Sequence, residues 1–92
     1  MTSKDSVKIK VGKFIRSKRE RVGLSQAEIA KRMGYGTPQF VSNWERGVSL
    51  PPVSSIKKLA ALLDVSAEGL FELILEIEVL LAAEKFERKF WG

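Results

Sequence analysis

Glycine and proline residues divide the first part of this chain into short segments, and this division constrains the fold more than any other feature. Within the segments, apolar residues recur at intervals of three and four, which is the period of an amphipathic helix. Strand-like alternation does not persist anywhere, so the sequence predicts an all-α domain. The dividing residues are Gly23, Gly34, Gly36, Gly47 and the pair Pro51-Pro52.

Signals for the start and end of helices define the predicted segments. Ser25, followed three residues later by Glu28, has the spacing of a capping box. Thr37 followed by Pro38 is an N-cap residue with proline at the first helical position. We expect a flexible N-terminal arm over residues 1–7, helices near 8–22, 25–33, 37–46 and 53–63, and a long fifth helix over 67–90.

Length and composition exclude several classes of protein. The 92 residues suffice for one domain. Because the sequence contains no cysteine and no histidine, we expect no disulfide framework, no metal site and no cofactor. The sequence shows no phosphate-binding glycine loop and no combination of acid, base and nucleophile, so we do not expect an enzyme. With no separate sensor domain, we also expect no small-molecule effector.

The charge is distributed unevenly along the chain. The net charge is +5, but residues 1–32 contain ten Lys/Arg and three Asp/Glu, whereas residues 66–92 contain three and six. A basic first part and an acidic last part suggest that one end of the protein meets a polyanion.

The longest apolar stretch, Leu70–Ala83, is interrupted by glutamates, so its insertion into a bilayer would carry a high free-energy cost. We therefore expect a cytoplasmic protein without a membrane partner.

The second and third predicted helices are joined by Gly34-Tyr35-Gly36. Two short helices connected by such a turn form a helix-turn-helix unit. The major groove of DNA is about 12 Å wide and admits one helix, which the other helix of the unit braces. Further blocks surround the unit: Val11-Gly12-x-x-Ile15-Arg16-x-x-Arg19, Gly23-Leu24-Ser25-Gln26-x-Glu28-Ile29-Ala30, Ser42-x-Trp44-Glu45-Arg46-Gly47 and Leu59-Ala60-x-Leu62-Leu63-x-Val65-Ser66.

These blocks resemble the Cro/repressor (XRE) family of helix-turn-helix proteins over about residues 9–72. The resemblance implies a lambda-repressor-like fold of five helices, with a DNA-binding domain over residues 8–72 and, in this chain, an extended C-terminal helix. It also implies a sequence-specific transcriptional regulator, most simply a dimeric repressor, with double-stranded DNA as its partner. Helix 37–46 is expected to read the major groove.

The resemblance assigns base contacts to the third predicted helix. Gln39 and Asn43 match base-reading positions, and each amide can pair with adenine N6 and N7. Ser42 is a further candidate for a base edge or a phosphate. Pro38 departs from the family, where many members carry a polar residue at this position. Since proline offers no donor, we expect it to pack, for example against a thymine methyl group.

The remaining predicted site residues contact phosphate or hold the helices together. Gln26 matches a family glutamine that binds a backbone phosphate. Arg19 and Glu45 match an ion pair that orients the third helix, and Trp44 is expected in the core. N-capping alone would also explain Thr37, and a core position would also explain Phe40. The other candidates for phosphate contact are Ser25, Thr37, Phe40, Arg46, Arg16, Lys18 and Lys13.

The long fifth segment carries two apolar stripes. One stripe consists of Leu70, Leu73, Ile74, Ile77, Leu80 and Leu81, and we expect it to pack on the domain itself. A second stripe would be exposed in a monomer, which favours a homodimer interface. The alternatives are a helix folded fully onto its own domain, or an antitoxin or adaptor whose last helix binds another protein. The second stripe consists of Phe71, Leu75, Val79, Ala82, Phe86 and Phe90.

Overall fold

The computed structural model describes residues 3–92 and the side chains from Ser6 onward; Met1 and Thr2 lie outside the described residues. Over this range the chain forms five α-helices and no strand, which confirms the predicted all-α class. A short 3-10 turn, Val53–Ser55, precedes the fourth helix. The helices are α1 (Ser3–Val22), α2 (Gln26–Arg32), α3 (Gln39–Glu45), α4 (Ile56–Leu63) and α5 (Ala67–Trp91).

The core lies where all five helices meet. Trp44 is the largest fully buried side chain, at 2% exposure, and the predicted core position is therefore confirmed. In α1, α3, α4 and α5 the buried apolar residues recur three or four positions apart, which is the expected helical period. The buried apolar residues are Val11, Ile15, Ile29, Ala30, Val41, Trp44, Ile56, Leu59, Ala60, Leu63, Leu70, Ile74 and Ile77.

Two helix starts differ from the prediction. Helix α1 begins at Ser3, so most of the segment predicted as an arm over residues 1–7 is helical. Val7 packs against the core and extends the apolar row that continues at Val11, so the additional turn of the helix buries apolar surface. The segment predicted as a helix from residue 53 opens instead with the 3-10 turn, in which Ser55 N–H and Oγ both donate to Pro52 O, at 2.9 and 2.7 Å.

The predicted capping box of α2 is present, and α5 also begins with a side-chain cap. Glu28 N–H donates to Ser25 Oγ and Ser25 N–H donates to Glu28 Oε1, both at 3.0 Å, which completes the capping box of α2. The hydrogen bonds that the Glu28 carboxylate makes with Ser25 lower the pKa of Glu28. At the start of α5, Ser66 Oγ accepts from Gly69 N–H at 3.0 Å. In both caps the donor and the acceptor lie three residues apart, so each cap depends on the local sequence alone.

Helix α5 extends past the rest of the domain, and the principal dimensions of the protein are 45 × 24 × 21 Å. Leu70, Ile74 and Ile77 are buried, as the first stripe predicts, but Leu80 is 40% exposed. Leu80 lies at the edge of an apolar groove of about 720 Å³ between α1 and α5. Within the described residues, no helix is long and apolar enough to span a membrane. All members of the second stripe are exposed: Phe71, Leu75, Val79, Ala82, Phe86 and Phe90.

Candidate nucleic-acid interface

The turn between α2 and α3 sets the direction of α3. Gly34 has φ +84°, a left-handed conformation that ends α2 and that glycine adopts without strain. Tyr35 N–H donates to Ala30 O at 2.9 Å, which ties the turn to the last turn of α2. The Tyr35 ring lies 5.0 Å from that of Phe40 and meets that of Trp44 edge-on at 5.9 Å. These aromatic contacts brace the start of α3 against the turn.

Helix α3 lies unusually close to α1, and glycine permits this approach. A Cβ atom placed on Gly12 would lie 2.5 Å from the Trp44 carbonyl oxygen and would also overlap the carbonyl of Glu45. Gly47, just after α3, has φ +75°, and a Cβ there would lie 2.8 Å from Ile9 Cγ1. The C-terminal end of α3 is therefore fixed by backbone contact with α1, which restricts the outer face of α3 to one position on the domain.

Arg19 and Glu45 form the ion pair that the family resemblance implied. Arg19 Nε donates to Glu45 Oε2 at 2.6 Å and Nη2 donates to Oε1 at 3.0 Å, a bidentate arrangement. The two side chains are only 12% and 3% exposed. The hydrogen bond to the Glu45 carboxylate raises the pKa of the Arg19 guanidinium above its ordinary value. Arg19 Nη1 also donates to Leu24 O at 2.8 Å, which links α1 to the segment that leads into α2.

Gln26, the predicted phosphate-binding glutamine, joins the same cluster. Its Nε2 donates to Glu45 Oε1 at 3.0 Å, so one carboxylate connects α1, α2 and α3. Ser25, the residue before it, is exposed and its hydroxyl is engaged in the capping box. The side-chain nitrogen of Gln26 carries a second N–H, which the bond to Glu45 does not use. The sequence did not predict this bond between Gln26 and Glu45, because nothing in the spacing of 19 residues indicates it.

The outer face of α3 carries a chain of hydrogen bonds among its polar residues. Gln39 Nε2 donates to Asn43 Oδ1 at 2.9 Å, and Arg46 Nη2 donates to the same oxygen at 2.6 Å. Arg46 Nε also donates to Ser42 Oγ at 3.3 Å. Gln39 and Arg46 are exposed, while Ser42 and Asn43 are half-buried. The structure thus brings together four residues that the sequence had assigned to bases or phosphate, on one helical face.

The start of α3 differs slightly from the prediction. The helix begins at Gln39, so Pro38 occupies the N-cap position with φ −74° and ψ 1° rather than the first helical position. Thr37 Oγ1 accepts from Gln39 N–H at 3.3 Å, a weak bond of the capping kind. Phe40 is 51% exposed and is not part of the core. Thr37, Pro38 and Phe40 are therefore all available at the surface near the turn.

The basic candidates on α1 contact partners on that helix. Arg16 Nε donates to Glu20 Oε1 at 2.7 Å, in an exposed pair one turn apart. Pairs of this kind contribute about 0.3–0.5 kcal/mol, so Arg16 can exchange Glu20 for another anion at little cost. The ammonium of Lys18 lies 5.5 Å from the centre of the Phe14 ring. Lys13 is exposed.

Comparison with known proteins agrees with this architecture. A family model described as helix-turn-helix matches residues 15–70, more than half of the chain. The chain belongs to this family, in the Cro/repressor (XRE) type that its sequence blocks resemble. Uncharacterized HTH-type transcriptional regulators from two strains of Mycobacterium tuberculosis are each 40% identical to it over 60 residues, 65% of this chain. The match covers 42% of each relative, so the chain corresponds to less than half of their length.

The sequence did not predict two features of the site. The turn signal at Tyr35 gives no indication that its ring contacts both Phe40 and Trp44. The amide network of α3 was also missed, although its spacing is visible: Gln39, Asn43 and Arg46 follow one another at intervals of four and three. Residues at these intervals are neighbours on a helix surface, and an arginine next to two amides is a recognisable signal for such a network.

Proposed function

We propose that this chain is a sequence-specific, double-stranded DNA-binding domain of a transcriptional regulator, which reads the major groove with α3. One observation carries the proposal: the buried side of α3 is anchored through Trp44 and Glu45, while its polar side is presented outward as a connected set. A rigid scaffold with hydrogen-bonding groups on one exposed helix face is what base reading requires. The names of the Mycobacterium relatives, HTH-type transcriptional regulators, support the regulatory role.

In this proposal, contacts to phosphate orient α3 in the groove. Gln26 supplies its second N–H, and the exposed side chains of Arg16 and Arg46 supply charge from α1 and α3. Ser25, Thr37, Phe40 and Lys18 are the other candidates around the helix-turn-helix unit. Phosphate contacts position the protein without reading sequence, and each one adds about one unit to the slope of log affinity against log salt.

We also propose that the protein acts as a homodimeric repressor that pairs through the second stripe of α5. Phe71, Leu75 and Val79 are 41%, 46% and 59% exposed, and both Phe86 and Phe90 are 74% exposed. Monomeric soluble proteins seldom expose a contiguous row of large apolar side chains. Pairing with a second copy covers the row and places two α3 helices on two half-sites about one helical turn apart.

An antitoxin or adaptor is the second candidate function, and the same exposed stripe is the observation that favours it. In that case another protein covers Phe86 and Phe90, and DNA binding is secondary. The purified chain alone separates the two: a homodimer sediments as a stable species of twice the chain mass, whereas an antitoxin without its partner stays monomeric or aggregates. We favour the homodimer because it accounts for both the stripe and the need for two reading helices.

Selection from a random duplex DNA library at two salt concentrations tests the function directly. We expect an inverted repeat, enriched at both concentrations, with half-sites centred about 10 base pairs apart. Transcription from a promoter that contains the repeat should fall when the protein is added. Recovery that is weak, salt-sensitive and without a common motif would contradict sequence-specific binding.

A further inference from the structure

The side-chain oxygen of Asn43 accepts two hydrogen bonds on the outer face of α3. Gln39 Nε2 donates to it from one turn before, at 2.9 Å, and Arg46 Nη2 donates from one turn after, at 2.6 Å. A carbonyl oxygen has two lone pairs, so both acceptor positions of the Asn43 amide are occupied within the protein. The NH₂ group of the same amide carries two donors that neither of these bonds uses.

Arg46 determines which way the Asn43 amide faces. A guanidinium has only donors, so the amide must turn its oxygen, and not its nitrogen, towards Arg46. The 2.6 Å bond is charge-assisted and therefore stronger than the neutral bond from Gln39. Arg46 is itself held by the bond from its Nε to Ser42 Oγ at 3.3 Å. Once the Asn43 oxygen is fixed, Gln39 must present its nitrogen to it and its own oxygen elsewhere.

This arrangement changes what each amide can read. An asparagine that pairs with adenine uses its oxygen to accept from N6 and its nitrogen to donate to N7. Asn43 lacks a free oxygen in this network and presents donors alone. Gln39 keeps a free oxygen and one N–H, so it can still accept from adenine N6 and donate to adenine N7. Among the bases, guanine shows two acceptors in the major groove, N7 and O6, and cytosine shows a donor.

We propose that Arg46 is a positioning residue for specificity: it fixes the Asn43 amide as a donor, so that Asn43 selects guanine and rejects cytosine, while Gln39 selects adenine. This inference rests on the proposed function and adds to it the base that Asn43 reads. It also replaces the expectation, drawn from the family resemblance, that Asn43 and Gln39 both read adenine.

Binding-site selection with four proteins tests the proposal: wild type, Asn43→Ala, Arg46→Met and the double variant. Asn43→Ala identifies the base pair that Asn43 reads, because preference is lost there. In the wild type we expect guanine at that base pair. Arg46→Met keeps the aliphatic length but removes the donors, so the amide can rotate; we expect the guanine-to-adenine preference there to fall by about tenfold. In the Asn43→Ala background, Arg46→Met should leave that base pair unchanged.

Arg16→Met is the matched control, since it removes an exposed guanidinium from α1. It should weaken binding to all sequences alike and leave the base preferences as in the wild type. If Arg46→Met behaves in the same way, Arg46 contacts phosphate only and the proposal is overturned. If Arg46→Met instead abolishes a preference for guanine at a base pair whose preference Asn43→Ala leaves unchanged, Arg46 reads that base itself. The proposal then also fails.

Two further outcomes concern the wild type. Adenine at the base pair identified by Asn43→Ala would overturn the orientation inferred for this amide while leaving sequence-specific DNA binding in place. A selected pool without any motif would overturn the proposed function and this inference with it. The two failures are therefore distinguishable in one experiment.

Discussion

Gln26 on α2 and Glu45 on α3 share a hydrogen bond of 3.0 Å, and the carboxylate that accepts it also binds Arg19 of α1. A single buried side chain, that of Glu45 on α3, therefore links α3 to both α1 and α2. Since the Glu45 side chain is only 3% exposed, its carboxylate is bound by protein groups and has little contact with water. The arrangement couples the position of a predicted phosphate ligand, Gln26, to the position of α3, the helix that we propose reads bases.

Removal of the Glu45 carboxylate should be strongly destabilising. Glu45→Ala leaves the Arg19 charge with little access to solvent and without its partner, and breaking one side of a buried pair costs about 3–5 kcal/mol. Urea denaturation followed by circular dichroism measures the change in the free energy of unfolding. The matched control is Glu20→Ala, which removes the exposed partner of Arg16 and should cost less than about 0.5 kcal/mol. Equal effects of the two substitutions would show that Glu45 does not hold the helices together.

Gly12→Ala should destabilise the protein even though alanine is the better helix former. The added methyl group would overlap the carbonyl groups of Trp44 and Glu45, and overpacking of this kind costs about 1–3 kcal/mol. Because α3 must shift to relieve the overlap, affinity for the selected DNA site should fall as well.

The control for this substitution is Gly36→Ala, since a Cβ at Gly36 meets nothing within 4 Å. Thermal unfolding and fluorescence anisotropy with labelled duplex DNA measure both quantities for each variant. If the Gly12→Ala protein is as stable as the wild type, α1 and α3 can move apart without loss of stability.

The capping box of α2 should make stability depend on pH. The bonds with Ser25 lower the pKa of Glu28 below its ordinary value of 4.5, so the folded state binds this proton more weakly than the unfolded state does. The resulting stabilisation is complete above about pH 4.5 and is lost as the pH falls through the lower pKa of the folded state. We expect the difference in melting temperature between wild type and Glu28→Gln to be largest near neutral pH and to shrink below pH 4.5. A difference that is constant between pH 7 and pH 3 would argue against an ionised cap.

Loss of the Gln39 amide should relax base preference. Gln39→Ala removes one bidentate pair and should cost about 1–3 kcal/mol on the preferred site, with little change on unrelated DNA. Competition binding with the preferred site and with single-base variants of it measures the effect at each base pair. Arg16→Met is the contrasting variant, since it should weaken all sites similarly and reduce the salt slope by about one unit. If Gln39→Ala leaves the base preference unchanged, α3 does not read bases through Gln39 as proposed.

Charges placed in the second stripe of α5 should produce monomers. Val79 and Phe86 are 59% and 74% exposed in the single chain, so Val79→Glu and Phe86→Glu should leave the fold intact while opposing the proposed burial between two copies. Sedimentation velocity gives the mass of the species in solution. Val48→Glu is the control, because Val48 is also exposed, at 56%, but lies outside α5. If the stripe variants remain dimeric, the two copies pair through another surface.

The sequence predicted those parts of the fold that depend on interactions between near neighbours. The capping box at Ser25 involves partners three residues apart, and it is present in the structure. The first helix was predicted from residue 8, but α1 begins at Ser3 and Val7 packs against the core, because the apolar spacing of the helix continues back to that residue. Leu80 was assigned to the buried stripe, but the helices diverge where it lies and leave a groove.

The candidate site was predictable as a set of residues but not as a network. The family resemblance placed Gln39, Asn43 and Arg46 on one helix, and the structure shows them on one face. It could not show that Asn43 supplies its oxygen to two neighbours, since that depends on rotamers. The bond between Gln26 and Glu45 likewise depends on how closely α2 and α3 approach, which is set by the turn at Tyr35 and by the packing of α3 on Gly12.

The residues that anchor α3 and the residues that face outward from it are separate sets. Val41, Trp44 and Glu45 hold the helix on the domain, and none of them belongs to the hydrogen-bonded face. Substitutions on that face can therefore accumulate during evolution without compensating changes in the interior. If α3 reads bases as proposed, a duplicated copy of such a gene can acquire a new DNA target through substitutions on that face with little change in thermal stability. The same separation makes this domain a practical scaffold for libraries in which only the outer face of α3 is randomised.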